Sequence, residues 1–204
     1  AELNHGVDPP AISEFAVVPD LAVDAGFGAI ESFAVDGTSG AYFFSHESGL
    51  WSGQIAQGTL YQIEPAPVGP SILVTEGRLL YTTGNEVHFG AILRASGTFS
   101  ESAVSPVAIN GTGPYVLASS PSDGHLYAYD NYQQILRSSV PVPSLTSLIT
   151  FESIALPDTT PAGGWSAFGI GPDGRLFLGG DTGGTQPAKV MAYTDNHDGE
   201  AWIV

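Results

Sequence analysis

The sequence predicts an all-β protein, a β-propeller of about four blades, with a fifth if a terminal strand pair completes one. An irregular β-sandwich is the competing architecture. Three observations lead there: no helical periodicity, a high density of Gly and Pro, and a strand–turn–strand unit that recurs along the chain. No stretch free of Gly and Pro carries apolar residues at i, i+3, i+4 and i+7 over three turns. Gly (26) and Pro (15) make up about a fifth of the 204 residues, a level suited to many short strands joined by tight turns. Short apolar runs bounded by Gly, Pro, Asp and Ser recur throughout.

The units follow one another in order. The first, ESFAVDGTSGAYF (31–43), has a long turn ending at Gly40. The second, SILVTEGRLLY (71–81), turns at Glu76-Gly77. The third and fourth, YVLASSPSDGHLY (115–127) and WSAFGIGPDGRLF (165–177), align without a gap, setting Asp123-Gly124 over Asp173-Gly174 and Leu126 over Leu176. In each, an apolar strand runs into a turn whose glycine supplies the positive φ of a tight hairpin, and a second strand follows. The turn glycines are 37, 47 and 50 residues apart, close to the length of a four-stranded propeller blade. Each unit has room for a further strand and a Pro-containing exit, clearest in GTLYQIEPAP (58–67) and QQILRSSVPVP (133–143). The chain therefore reads as a single domain, 1–204, of units near 11–65, 66–104, 105–150 and 151–204.

Composition narrows the functions. The 21 acids against 5 scattered bases give a net charge of −16, which repels nucleic acid and anionic lipid. No apolar run approaches the length of a membrane span, so no membrane insertion is expected. The absence of Cys removes disulfide frameworks, thiolate catalysis and Cys-ligated metals. The chain begins at Ala1 rather than Met, which suggests either a processed mature chain or a piece excised from a longer one; removal of a signal peptide is the favoured reading, and a secreted or cell-surface location is expected.

Most local motifs dissolve on inspection. Gly169-Ile-Gly171-Pro172-Asp173-Gly174 matches G-x-G-x-x-G, yet a strand follows it where a dinucleotide loop needs a helix. TDNHDGE (194–200) cannot be an EF-hand, because the twelfth position would lie past Val204. A simpler calcium site at Asp195, Asn196, Asp198 or Glu200 stays open. The histidines at 5, 46, 88, 125 and 197 form no zinc-type pair, though a propeller could gather several for copper or zinc. No nucleophile elbow is present, so a non-enzymatic role is expected. Asn110-Gly111-Thr112 fits a glycosylation sequon.

Residues 162–180, AGGWSAFGIGPDGRLFLGG, followed by 191–204, MAYTDNHDGEAWIV, resemble the tachylectin-2 type of propeller lectin. That family's blade has a Gly-Gly-Trp start, an aromatic strand, a Pro-x-Gly turn, a Leu-Tyr strand and an Asp-Asn element. Gly163-Gly164-Trp165, Phe168, Pro172-Asp173-Gly174, Leu176-Phe177, and Asp195-Asn196 with Trp202 stand at similar places. AYFFSHESGLWS (41–52) is more distantly similar to four-bladed hemopexin repeats. The lectin resemblance implies a secreted carbohydrate-binding propeller. Its sites would use Trp165, Tyr115 and Trp202 as flat faces for sugar C–H groups, and Asp130, Asn131, Asp181, Asp195 and Asn196 for hydroxyls. Core packing is the rival reading of Trp165 and Tyr115. No cofactor is required, with calcium and copper left open. The partners are glycans or, in an alternative reading, neighbouring subunits of a filament, spike or coat. A second alternative is extracellular metal binding.

Overall fold

The computed structural model describes residues 2–4, 11–13, 30–54, 60–103, 105–109, 115–130, 134–142, 149–156, 167–180, 189–196 and 201–203. A short hairpin comes first, β1 (Glu2–Asn4) with β2 (Ala11–Ser13). Four antiparallel sheets follow as the blades of a β-propeller. Blade 1 is β3 (Ser32–Asp36), β4 (Ala41–His46), β5 (Gly49–Gln54) and β6 (Leu60–Glu64). Blade 2 is β7 (Ile72–Thr75), β8 (Arg78–Thr83), β9 (Glu86–Leu93) and β10 (Thr98–Glu101), with β11 (Val107–Ala108) extending the edge along β9. Blade 3 is β12 (Val116–Ser119), β13 (His125–Tyr129), β14 (Gln134–Pro141) and β15 (Phe151–Ala155). Blade 4 is β16 (Ala167–Ile170), β17 (Leu176–Gly180), β18 (Lys189–Asp195) and β19 (Ala201–Ile203). The described residues contain no α-helix.

The repeated unit of the sequence is the first hairpin of each blade. Gly40, Gly77, Gly124 and Gly174 all take positive φ, between 72° and 81°. The acid before the glycine has its own task in two blades. The Asp123 carboxylate accepts the His125 N–H at 3.0 Å, and Asp173 accepts that of Arg175 at 3.2 Å. Each caps the first backbone donor of the returning strand. In blade 2, Glu76 itself has φ 50° and Gly77 φ 72°, the paired positive values of a type I′ hairpin.

The first strand of each blade lies against the first strand of the next, in the order β3, β7, β12, β16. Side chains stitch these inner strands together: Ser32 Oγ accepts the Ile72 N–H at 3.1 Å, and the Ser119 hydroxyl reaches Thr75 Oγ1 at 3.3 Å. The core lies between the sheets. Ala41, Phe43 and Leu50 of blade 1 meet Leu79, Tyr81 and Ile92 of blade 2. On its other face, blade 2 sets Leu80, Val87 and Phe89 against Tyr115, Leu117, Leu126 and Leu136 of blade 3. Blade 3 then turns Tyr127, Tyr129, Ile135 and Ile154 toward Leu176, Leu178 and Tyr193 of blade 4. The middle strands of blades 2 and 3 are thus packed on both faces, and β4 of blade 1 is buried at every position. Each fully buried Leu or Phe contributes about 1.5–3 kcal/mol. A sandwich would pair two large sheets, whereas here each small sheet packs on its sequence neighbours.

Gly49 begins β5 at φ 118°, and a Cβ there would run into the Glu64 carbonyl oxygen of β6. Gly84, in the β8–β9 turn at φ 54°, has open space around it. Gly84→Ala should cost about 1 kcal/mol for the left-handed backbone alone. Gly49→Ala should cost about 3 kcal/mol or more, because backbone must move as well. Denaturant titration of the two variants checks the difference.

Candidate functional site

Two polar constellations stand out, and neither is the one the sequence suggested. The first lies between blades 3 and 4. Tyr127 on β13 and Arg137 on β14 share a face of blade 3, and both reach Asp195 at the end of β18. The Tyr127 hydroxyl donates to Asp195 Oδ2 at 2.8 Å, and an Arg137 guanidinium N–H donates to the same oxygen at 2.8 Å. A second Arg137 N–H donates to Glu152 Oε2 on β15 at 2.9 Å. The Arg137 and Asp195 side chains are only 7% and 3% exposed, against 59% for Glu152. Burial works against the Arg137 charge, but the Glu152 and Asp195 carboxylates outweigh it and hold its pKa above the ordinary value. Burial first, and then the Asp195 carboxylate, push the Tyr127 phenol well above its usual range. Groups so fully engaged with one another hold two blades in register.

The second constellation is an open cleft of about 350 Å³ between the outer strands of blades 1 and 2. Tyr61, Gln62 and Glu64 of β6 form one wall; Tyr81 of β8 and Phe99 and Glu101 of β10 form the other. Tyr61 keeps 39% of its surface exposed, while Tyr81 is buried with its ring edge-on to Phe99. Burial raises the Tyr81 pKa, and the carboxylates of Glu101 and Glu64 raise it further. Two acids therefore bear on one phenol, and no basic side chain lines the cleft among the described residues. A larger cleft of about 460 Å³ lies between the first turns of blades 2 and 3, walled by Thr75, Glu76, Ser120, Pro121 and Asp123. It offers no aromatic face.

Behind the Tyr81 wall runs a directed chain of hydrogen bonds. The Phe89 N–H donates to Ser105 Oγ at 3.1 Å, and the Ser105 hydroxyl donates to Glu101 Oε1 at 2.7 Å. His88 Nδ1 sits 2.8 Å from the same Glu101 oxygen, and His88 Nε2 sits 2.8 Å from Thr83 Oγ1. A carboxylate only accepts, so Nδ1 carries the ring proton and Nε2 accepts from the Thr83 hydroxyl. The His88 ring stacks on Tyr81 at 4.8 Å with its plane 10° away.

Of the residues expected from the sequence, those described take up different places. Tyr115 is fully buried in the core between blades 2 and 3, so its core reading holds and its ring offers no face to a sugar. Asp130 is also buried, its Oδ1 accepting the Gln134 N–H at 3.3 Å. Asp195 does lie between adjacent units, but Arg137 and Tyr127 occupy its Oδ2. Asn196 is exposed. Trp202 is on β19 opposite Thr194. Trp165, Asn131 and Asp181 lie outside the described residues. His46, His88 and His125 sit on three different blades, and His5 and His197 are outside the described residues. Among the described residues no group of three or more His, Asp or Glu is placed to hold a metal. One signal for the residues missed was present: Arg137, a lone base within the apolar strand QQILRSSV of a chain with five bases.

No protein-family model matches the chain, and no curated protein does. Solved structures do match. A functionally unknown protein from Desulfotomaculum acetoxidans DSM 771 superposes with a TM-score of 0.62 at 13% identity, over 99% of this chain and 61% of that one. A 6-phosphogluconolactonase candidate from Bacteroides uniformis ATCC 8492 superposes at 0.57 and 13% identity, over 83% of this chain and 55% of that one. The chain thus spans little more than half the length of these neighbours, and the likeness at this identity is one of fold. No helix among the described residues is long and apolar enough to cross a membrane.

Removing Asp195 leaves the buried Arg137 guanidinium with one of its two carboxylates and takes away the carboxylate to which the Tyr127 phenol donates. Asp195→Ala should cost about 3–5 kcal/mol, and Glu152→Ala, at the exposed end, less than about 1 kcal/mol; urea titrations compare them. The raised Tyr127 pKa has an alkaline consequence. The folded phenol keeps its proton where the unfolded one loses it, so stability is complete below about pH 10 and falls as pH rises through and beyond that value. Melting temperature against pH should show a shallower alkaline loss in Tyr127→Phe than in the unaltered protein.

Proposed function

We propose that this protein is a carbohydrate-binding propeller of the cell exterior or surface, and that the cleft between β6 and β10 takes a neutral saccharide. The observation that carries the reading is the cleft's make-up. The part-exposed Tyr61 ring, with Phe99 beside it in the cleft, suits the C–H face of a sugar, while Gln62, Glu64 and Glu101 suit its hydroxyls. Two carboxylates and no base disfavour a phosphorylated or otherwise anionic ligand. A phosphosugar, the ligand class suggested by the name of the Bacteroides uniformis protein, is therefore the wrong charge for this cleft.

A second reading, assembly into a surface structure, is favoured by exposed apolar side chains on both terminal blades. Phe33 and Val35 on β3 are 56% and 42% exposed, and Val190 on β18 is 72% exposed. Val190→Asp would abolish such assembly, as light scattering would show, without touching the cleft.

A glycan array followed by calorimetry tests the first reading. The intact protein should bind neutral or N-acetylated saccharides, and Tyr61→Ala should weaken binding about tenfold or more, ~1.4 kcal/mol. Its stability should change by less than about 0.5 kcal/mol. An array on which the intact protein binds nothing would overturn the reading.

A further inference from the structure

We propose that Thr83, His88 and Glu101 form an ester-cleaving site at the edge of the cleft, with Thr83 as nucleophile, His88 as general base and Glu101 as the group that positions the imidazole. The sugar portion of the substrate rests on the saccharide reading above; the acyl-transfer chemistry rests on the relay alone. The class of substrate is a carboxylic ester carried on a neutral sugar.

A threonine hydroxyl is a weak nucleophile until a base takes its proton, and the base must be held in the right tautomer. Both conditions are met on β8, β9 and β10. Thr83 Oγ1 and His88 Nε2 are 2.8 Å apart, and Nδ1 is held by Glu101 at 2.8 Å. Glu101 is itself fixed by the Ser105 hydroxyl, which is fixed in turn by the Phe89 N–H. Every donor in this series has one acceptor, and the series ends on a half-buried hydroxyl at the mouth of the β8–β9 turn. A purely structural histidine needs no such direction. Tyr81, packed flat on His88, and Glu101 both line the cleft, so a ligand held there lies beside the relay.

In the first step Thr83 Oγ1 bonds to the ester carbonyl carbon and its proton passes to His88 Nε2. Gly84 and Asn85, the next two residues and both exposed, are the backbone donors nearest in sequence to the developing oxyanion. The carbon–oxygen bond to the sugar then breaks, and the departing alcohol takes the proton from Nε2. Water attacks the acyl-threonine in the second step, giving one proton to Nε2. Collapse releases the carboxylic acid and returns that proton to Thr83 Oγ1. The sum is ester plus water to alcohol plus acid, with no other reactant.

The test uses the intact protein with two probes, p-nitrophenyl acetate and an O-acetylated neutral methyl glycoside. The unaltered protein should cleave both above the buffer rate. Thr83→Ala and His88→Ala should each lose about a hundredfold or more. Glu101→Gln should lower kcat for the nitrophenyl ester and leave KM unchanged, as expected of a positioning residue. Acid quenching during turnover should leave one acetyl group on the peptide containing Thr83. Buffer-rate cleavage by the intact protein, or activity that survives Thr83→Ala, overturns the proposal. Sugar binding without ester cleavage overturns it and leaves the saccharide reading standing. Cleavage of the nitrophenyl ester with no preference for the glycoside supports the relay and removes that reading.

Discussion

The rest of this molecule depends on one constraint: each blade must bury an apolar face against every blade that neighbours it in sequence. A small sheet with apolar side chains on its faces must bury them against another layer. Three apolar interfaces solve the problem here, blade 1 with 2, 2 with 3 and 3 with 4. The interfaces are built from alternate residues of the same strands. On β13, Leu126 and Ala128 face backward to blade 2, and Tyr127 and Tyr129 face forward to blade 4. Stability is therefore shared along the chain as a sum of neighbour contacts.

That constraint explains what could be read in the sequence. The hairpin turns were legible because their chemistry is local: a glycine with positive φ, an acid to cap the returning strand, and an apolar residue after it. Gly40, Gly77, Gly124 and Gly174 needed no tertiary information. The first hairpin of every blade follows from them, and blade length follows from their spacing. The second strands were recognisable as strands but not as two-faced, because a sheet covered on both sides loses the polar alternation that would separate its faces. The outer strands were harder still. In blade 2 the edge is divided between β10 and β11, and no pattern in the sequence marks the division.

The candidate sites were less legible, for a related reason. Asp195 stood out as part of an Asp-Asn element, yet its partners Tyr127 and Arg137 lie 68 and 58 residues earlier. Tyr115 stood out as an aromatic and is core, because it sits just before the inner strand β12, in the apolar interface between blades 2 and 3. The cleft residues Tyr61 and Glu101 carry no motif at all. They meet because the outer edges of consecutive blades approach one another, a property of the stacking. His88 was noticed only as one of five histidines, although its strand register, opposite Tyr81 and diagonal to Thr83 and Glu101, is what gives it partners. The acidity that weighs against nucleic acid in the sequence reappears in the cleft as Glu64 and Glu101.

The Asp195 link also bears on how the protein is made. Synthesis runs from the N-terminus, so Tyr127 and Arg137 leave the ribosome well before the carboxylate that will bind them. Blade 3 can settle on blade 2 at once, but its forward face must wait, its phenol and guanidinium still served by water. Those two polar groups set among Tyr129, Ile135 and Ile154 make the waiting surface less adhesive than an all-apolar one. The closing ion pair then rewards only the arrival of blade 4 in the correct register. A bare hydrophobic face would have accepted the wrong sheet, or the same sheet from another nascent chain.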